Sequence, residues 1–133
     1  NPMSLPRGSL GTNRSEHAVA FYDKVLATLG IGRVMDLSEH QAVAYGRAYP
    51  EFWIQAPHNG QPAQTANGVH IAFMAATPEQ VHAFHAAALA AGGTDDGAPG
   101  PRPHYEAAYY GCFVRDLDGH KIEAMAWLGN PAP

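Results

Sequence analysis

Residues 108 to 124, Ala-Tyr-Tyr-Gly-Cys-Phe-Val-Arg-Asp-Leu-Asp-Gly-His-Lys-Ile-Glu-Ala, read as two strands joined by a tight turn, with Asp118-Gly119 supplying the turn chemistry. One residue of the return strand does not behave as plain core. Glu123 stands between Ile122 and Ala124, and a carboxylate there is costly to bury unless it is paired, opened to a cavity or bound to a metal. An earlier apolar segment, Val69-His70-Ile71-Ala72-Phe73, offers a partner in His70. Alternation puts His70, Ala72 and Met74 on one face of their strand and Glu123, Met125 and Trp127 on one face of theirs. If both faces look into one cleft, a ring nitrogen meets a carboxylate oxygen. Spacing leaves two readings open, a His–Glu hydrogen bond at a sheet edge or two ligands of a divalent ion such as Zn, Ni, Mn, Fe or Co. Beside such an ion Glu123 would also act as the base.

The rest of the chain repeats one pattern twice. After a short N-terminal strand, Ala18, Phe21, Tyr22, Val25, Leu26 and Leu29 form one stripe of a helix over 15–29, stopped by Gly30. Strands follow at Val43–Arg47 and Phe52–Gln55. Residues 58–67, rich in turn formers and polar groups, read as a linker or mobile loop. The second half opens on the strand 69–74. Thr77, Pro78 and Gln80 then stand where an N-cap, a first helical residue and a reciprocal capping partner belong. Val81, Phe84, His85, Ala88 and Leu89 supply the buried stripe of a helix over 78–91, ended by Gly92-Gly93. Three prolines and two glycines between Thr94 and His104 predict an ordered loop rather than a central strand. A strand–helix–strands unit used twice implies an α+β fold in one domain over 1–133. Module one spans about 5–57, the linker 58–67 and module two about 68–128.

Composition narrows the partners. The 133 residues suffice for one core, and the net charge of −4, from 12 acidic and 8 basic residues, includes no basic cluster suited to nucleic acid. No segment approaches the ~20 apolar residues that span a bilayer, so no membrane partner is expected. Cys112 is the single cysteine, which rules out an intrachain disulfide and, with no signal-like apolar run, favours a cytoplasmic setting. Its bulky neighbours predict a buried, inert thiol. Asn1-Pro2 ahead of Met3 has the look of a cloning remnant.

Several side chains are candidates for contact with a small molecule. His104, Tyr105, Tyr109 and Tyr110 surround the long loop and its re-entry into the sheet, where aromatic faces with polar tips suit an enclosed ligand or simply cover a sheet edge. Trp53 either lines a pocket or fills core. Arg47, Arg102 and Arg115 would meet an anionic ligand or anchor loops. His82 and His85 are explained by the polar face of the second helix. No P-loop or dinucleotide fingerprint accompanies the glycines.

Ala20-Phe21-Tyr22-Asp23, Gly68-Val69-His70-Ile71-Ala72-Phe73 and Asp116-Leu117-Asp118-Gly119-His120-Lys121-Ile122-Glu123, in this order, resemble the vicinal-oxygen-chelate superfamily of glyoxalases, bleomycin-resistance proteins and dioxygenases. The resemblance covers nearly the whole chain and implies paired βαβββ modules forming curved mixed sheets, commonly in a homodimer. It implies His70 and Glu123 as metal ligands, Glu123 also as catalytic group, and Trp53, His104, Tyr109, Tyr110 and Arg47 as candidate substrate contacts. The implied activity is a glyoxalase-like lyase or related metal-assisted enzyme acting on a small oxygen-rich molecule. The alternative is a metal-free binding or drug-resistance protein. Two positions depart from the family pattern. The first-strand histidine falls at Arg7, and a first-half carboxylate expected near Ile54 is absent.

Overall fold

The computed structural model describes residues 8–105 and 107–129. The element order is β1 (Gly8–Gly11), α1 (Ser15–Ala27), β2 (Gly32–Leu37), β3 (Ala42–Gly46), β4 (Phe52–Gln55), β5 (His70–Met74), α2 (Pro78–Ala90), β6 (Thr94–Pro101), β7 (Tyr109–Arg115) and β8 (Lys121–Trp127), with a 3-10 turn at Ser38–His40. Each half is a βαβββ unit. The strands form two four-stranded sheets ordered β1-β4-β3-β2 and β5-β8-β7-β6, each mixed because its first and last strands pair in parallel. This is the paired-module α+β architecture implied by the sequence.

Each helix covers one face of its own sheet. Phe21, Tyr22, Val25 and Leu26 of α1 are buried with Val43, Tyr45, Phe52 and Ile54, and Val81, Phe84 and Ala88 of α2 with Cys112, Val114, Ile122 and Ala124. The second stripe is narrower than expected, since Leu89 is exposed and His85 bonds Asp95 at 2.8 Å. Helix α1 ends at Ala27, short of the expected Leu29, because the chain tightens into i→i+3 bonds from Thr28 to Gly30 and Gly30 takes φ 74°. The start of α2 matches its sequence signals. Thr77 Oγ1 accepts from the Gln80 amide at 3.2 Å, and Gln80 Oε1 accepts from the Ala76 amide at 2.8 Å.

The segment expected as a loop after α2 is in fact β6. Its prolines and glycines are accommodated because β6 is the edge of its sheet and its register with β7 shifts between Asp95 and Gly97 and again before Gly100. The linker is held rather than loose. Asn13 exchanges two bonds with the Ala63 backbone, and the Thr65 hydroxyl donates to the Asp118 carbonyl.

Several contacts join the modules. The Tyr22 hydroxyl donates to Asp116 Oδ2 at 2.5 Å, the His120 ring donates Nε2–H to the Gly11 carbonyl at 2.9 Å, and Phe52 meets Phe73 edge-on at 5.0 Å. Asp116 also accepts the Asp118 and His120 amides, so one carboxylate organises the β7–β8 turn and receives the first helix. Burial holds its carboxyl above the usual carboxylate range, although Tyr22 and the turn amides pull it down.

Tyr22→Phe should strand a buried acceptor and cost about 1–3 kcal/mol in urea unfolding. A group whose folded pKa is raised contributes stability that is complete below about pH 4 and is lost as pH rises through the folded value. The stability difference between the parent and Asp116→Asn should therefore shrink from pH 4 to pH 7, measured by unfolding at both.

Candidate functional site

Period-two alternation gives the second sheet two chemically different faces. Ile71, Phe73, Ile122, Ala124, Cys112 and Val114 pack with α2. The opposite, open face carries His70, Ala72 and Met74 from β5, Lys121, Glu123, Met125 and Trp127 from β8, and Tyr109, Gly111, Phe113 and Arg115 from β7. Register fixes their neighbours. Glu123 lies between Ala72 and Phe113, with His70 beside Lys121 and Tyr109 beside Trp127.

His70 and Glu123 do meet. The imidazole Nε2 is 2.7 Å from Glu123 Oε1, with the histidine side chain 40% exposed and the glutamate 7%. The second carboxylate oxygen is taken as well, since the Tyr109 hydroxyl donates to Oε2 at 2.5 Å. Burial, and then that bond to Glu123, raises the Tyr109 phenol well above its ordinary value, so it remains a donor. Tyr109 reaches Glu123 across Gly111. A Cβ there would lie 2.2 Å from the Tyr109 hydroxyl oxygen and 3.0 Å from the Ala124 carbonyl oxygen, so the glycine makes room for the phenol.

Aromatic rings continue outward from this set. Tyr109 packs edge-on to Trp127 at 6.2 Å and to Tyr105 at 5.2 Å, and Tyr105 to His104 at 4.4 Å. His70 stands edge-on to Phe113 at 5.7 Å. Among the sequence candidates, His70, Glu123, Tyr109 and His104 thus belong to one connected group. Tyr110 does not. It sits one residue out of phase with Tyr109, faces α2 and bonds His82 at 2.6 Å. Trp53 lies on the open face of the other sheet, beside Ser9 and Ala44, where a cavity of about 340 Å³ is also lined by Gln55. Arg47 lines a separate cavity of about 360 Å³ together with Glu51, Phe52 and His70, but its guanidinium donates to the Leu29 and Met74 carbonyls, each at 3.0 Å. Arg102 likewise holds a carbonyl of β6, and Arg115 the Gly119 carbonyl in the β7–β8 turn. Cys112 is buried on the helix side, and burial pushes its thiol up to about 11.

Lys121, Phe113 and Gly111 went unremarked as site residues in the sequence. Counting by two from Glu123 reaches Lys121, and hairpin pairing reaches Phe113. Nothing in the sequence marks Gly111 as a passage for a phenol.

The donor set does not fit a divalent ion. His70 and Glu123 supply only two side-chain ligands, and among the described residues no group of three or more His, Cys, Asp or Glu side chains converges. The internal repeat explains the shortfall. The Thr12 amide bonds the Gln55 carbonyl as the Ala75 amide bonds the Met125 carbonyl, and Arg14 and Thr77 are the matching helix caps. On that correspondence Trp53 stands where module two has Glu123. Ile54, the position near which a carboxylate was expected, is buried with α1 instead. Arg7, the counterpart of His70, lies outside the described residues.

A sequence profile of the glyoxalase/bleomycin resistance protein/dioxygenase superfamily matches residues 5–124. The chain belongs to this superfamily, the vicinal-oxygen-chelate group. Similar solved structures include a glyoxalase/bleomycin resistance protein from Albidiferax ferrireducens, 41% identical over 92% of this chain and 99% of that one, with a TM-score of 0.81. A lactoylglutathione lyase from Agrobacterium tumefaciens shares the fold at 22% identity and TM-score 0.62, covering 95% of this chain and 96% of its own. A fosfomycin resistance protein from Listeria monocytogenes does so at 18% identity and TM-score 0.64, with 93% of each chain covered. No curated protein matches the sequence. The superfamily includes glyoxalase-type lyases and related enzymes.

Gly111→Ala should dislodge the Tyr109 hydroxyl and reproduce the stability loss of Tyr109→Phe, about 1–3 kcal/mol for the lost buried bond. Because both changes remove the same contact, the double variant should lose clearly less than the two single losses added, as measured by chemical unfolding.

Proposed function

We propose that the chain binds a small oxygen-bearing molecule over His70, Glu123 and Tyr109 without a metal, as a binding or resistance-type member of its superfamily. One observation carries the reading. The buried Glu123 carboxylate is held in place by His70 on one oxygen and by the Tyr109 hydroxyl on the other, on an open, ring-lined face, so its remaining lone pairs are preorganised acceptors for a ligand hydroxyl. His104, Tyr105 and Trp127 extend the contact surface. Tyr110 and Arg47 are better assigned to packing and to joining backbone carbonyls.

The rival reading is a glyoxalase-like, metal-assisted lyase in which His70 and Glu123 hold the ion and Glu123 moves a proton. The observation on its side is that both residues stand in the motifs where metal enzymes of the superfamily carry ligands. Calorimetry with Mn, Fe, Co, Ni and Zn, alongside ligand-observed NMR with small hydroxy acids and vicinal diols, separates the two. Under the binding reading, no stoichiometric metal site disappears in His70→Ala and Glu123→Gln, and Glu123→Gln weakens the bound hydroxy compound about tenfold. Stoichiometric metal binding abolished by both variants would establish the lyase reading instead.

The assembly proposed with this function is a two-fold homodimer. Trp127, Met74 and Leu128 are exposed apolar side chains near the open face, and both sheets end in unpaired edges that a second copy can cover. Sedimentation at micromolar concentration should return about twice the chain mass; a monomer throughout that range would remove the second copy from the site. A cytoplasmic setting belongs to the same proposal, and among the described residues no helix is long and apolar enough to cross a membrane.

A further inference from the structure

The open face of the second sheet changes character along its strands. At one end Arg115 and Lys121 lie directly opposite each other across the β7–β8 pair, an arrangement that repels unless a counter-charge intervenes. One carboxylate serves both: Asp96 Oδ2 is 3.1 Å from Arg115 Nε and 3.6 Å from Lys121 Nζ. A third cation overlooks the same end. The Arg102 guanidinium lies 5.8 Å from the Phe113 ring centroid, with Lys121 Nζ at 4.8 Å, and among the described residues its hydrogen-bond partners are the carbonyls of Ala98, Gly100 and Pro101. Among the described residues, positive charge therefore exceeds negative charge at this end.

Moving along β8, the face passes Glu123, then Met125, then Trp127, flanked by Met74 on β5 and Tyr109 on β7. Met74 is 43% and Trp127 36% exposed, so the far end offers apolar and aromatic surface. The Lys121 and Trp127 backbones are about 20 Å apart at ~3.3 Å per residue, but the Lys121 ammonium reaches over Phe113, which pairs with Glu123, and so lies about 13 Å from the level of Trp127. Glu123 lies between the two ends and repels an anion placed beside it, which leaves the Lys121 end as the favourable position for a negative group.

We propose that this face selects a ligand with an anionic head and an apolar, aromatic-ended tail, the head beside Lys121 and Arg115 and the tail over Met125 toward Trp127. The proposal rests on the binding role given to the same face above and adds the substrate class, an aryl-substituted carboxylate. A hydroxyl near the head would meet Glu123.

Three probes of one shape test it: 4-phenylbutanoate, 4-phenylbutan-1-ol and 4-phenylbutylamine, titrated into the full chain by calorimetry with amide NMR mapping. The acid should bind at least tenfold more tightly than the alcohol at low salt, and the amine most weakly. Raising the salt should narrow the gap. Lys121→Gln should bring the acid down to the alcohol, whereas Trp127→Ala should weaken both alike. Equal affinity of acid and alcohol, or an acid preference that survives Lys121→Gln, would overturn the anionic-head assignment and leave the binding face intact. If none of the three shifts β7 or β8 while hydroxy acids do, the tail assignment falls alone. If neither set shifts those strands, the binding role falls with it.

Discussion

The buried carboxylate of Asp116 holds the two halves of this molecule in register. It caps the turn between β7 and β8 through two backbone amides and receives the Tyr22 hydroxyl from a helix 94 residues earlier in the chain. An unpaired carboxylate in that place would be costly, so each of its partners is required for the others to be worth burying. The turn then sets where β8 begins, and the position of β8 decides which of its residues face α2 and which face outward. His120, one residue before β8, closes the same joint by donating to Gly11 in module one.

From that start, strict alternation sends Ile122, Ala124 and Ala126 into the core and Lys121, Glu123, Met125 and Trp127 to the open face. Glu123 is tolerated because His70 and Tyr109 satisfy its two oxygens, and Tyr109 succeeds only because Gly111 has no side chain. That arrangement brings together two side chains of the kind that hold metals, and among the described residues no third converges on them. In module one Trp53 occupies the place that corresponds to Glu123.

Much of this architecture was legible. The stripe of α1, the cap at Thr77 and the Asp-Gly turn are local signals with near-neighbour causes and appear where the sequence puts them, whereas the stripe of α2 keeps Val81, Phe84 and Ala88 without Leu89. The pairing of His70 with Glu123 was legible for a less local reason, because two ionisable groups in apolar strands each need a partner. Tyr110 was misplaced beside Tyr109 because composition around a loop does not fix the phase of the following strand. The prolines and glycines between Thr94 and His104 argue for a loop against a central strand, whereas the position of Thr94–Pro101 at an edge, with two register shifts, removes the objection.

Periodicity and the cost of an unpaired charge act wherever the chain folds, and they are enough to fix the repeated strand–helix–strands order, most of the buried stripes and the need of Glu123 for a partner. Only the tertiary structure decided that both Glu123 oxygens are taken, that Trp53 replaces a second carboxylate, and that cations and aromatic rings lie at opposite ends of one face. Those outcomes depend on register between strands distant in sequence, and register is set by packing across the whole sheet rather than by any local run of residues.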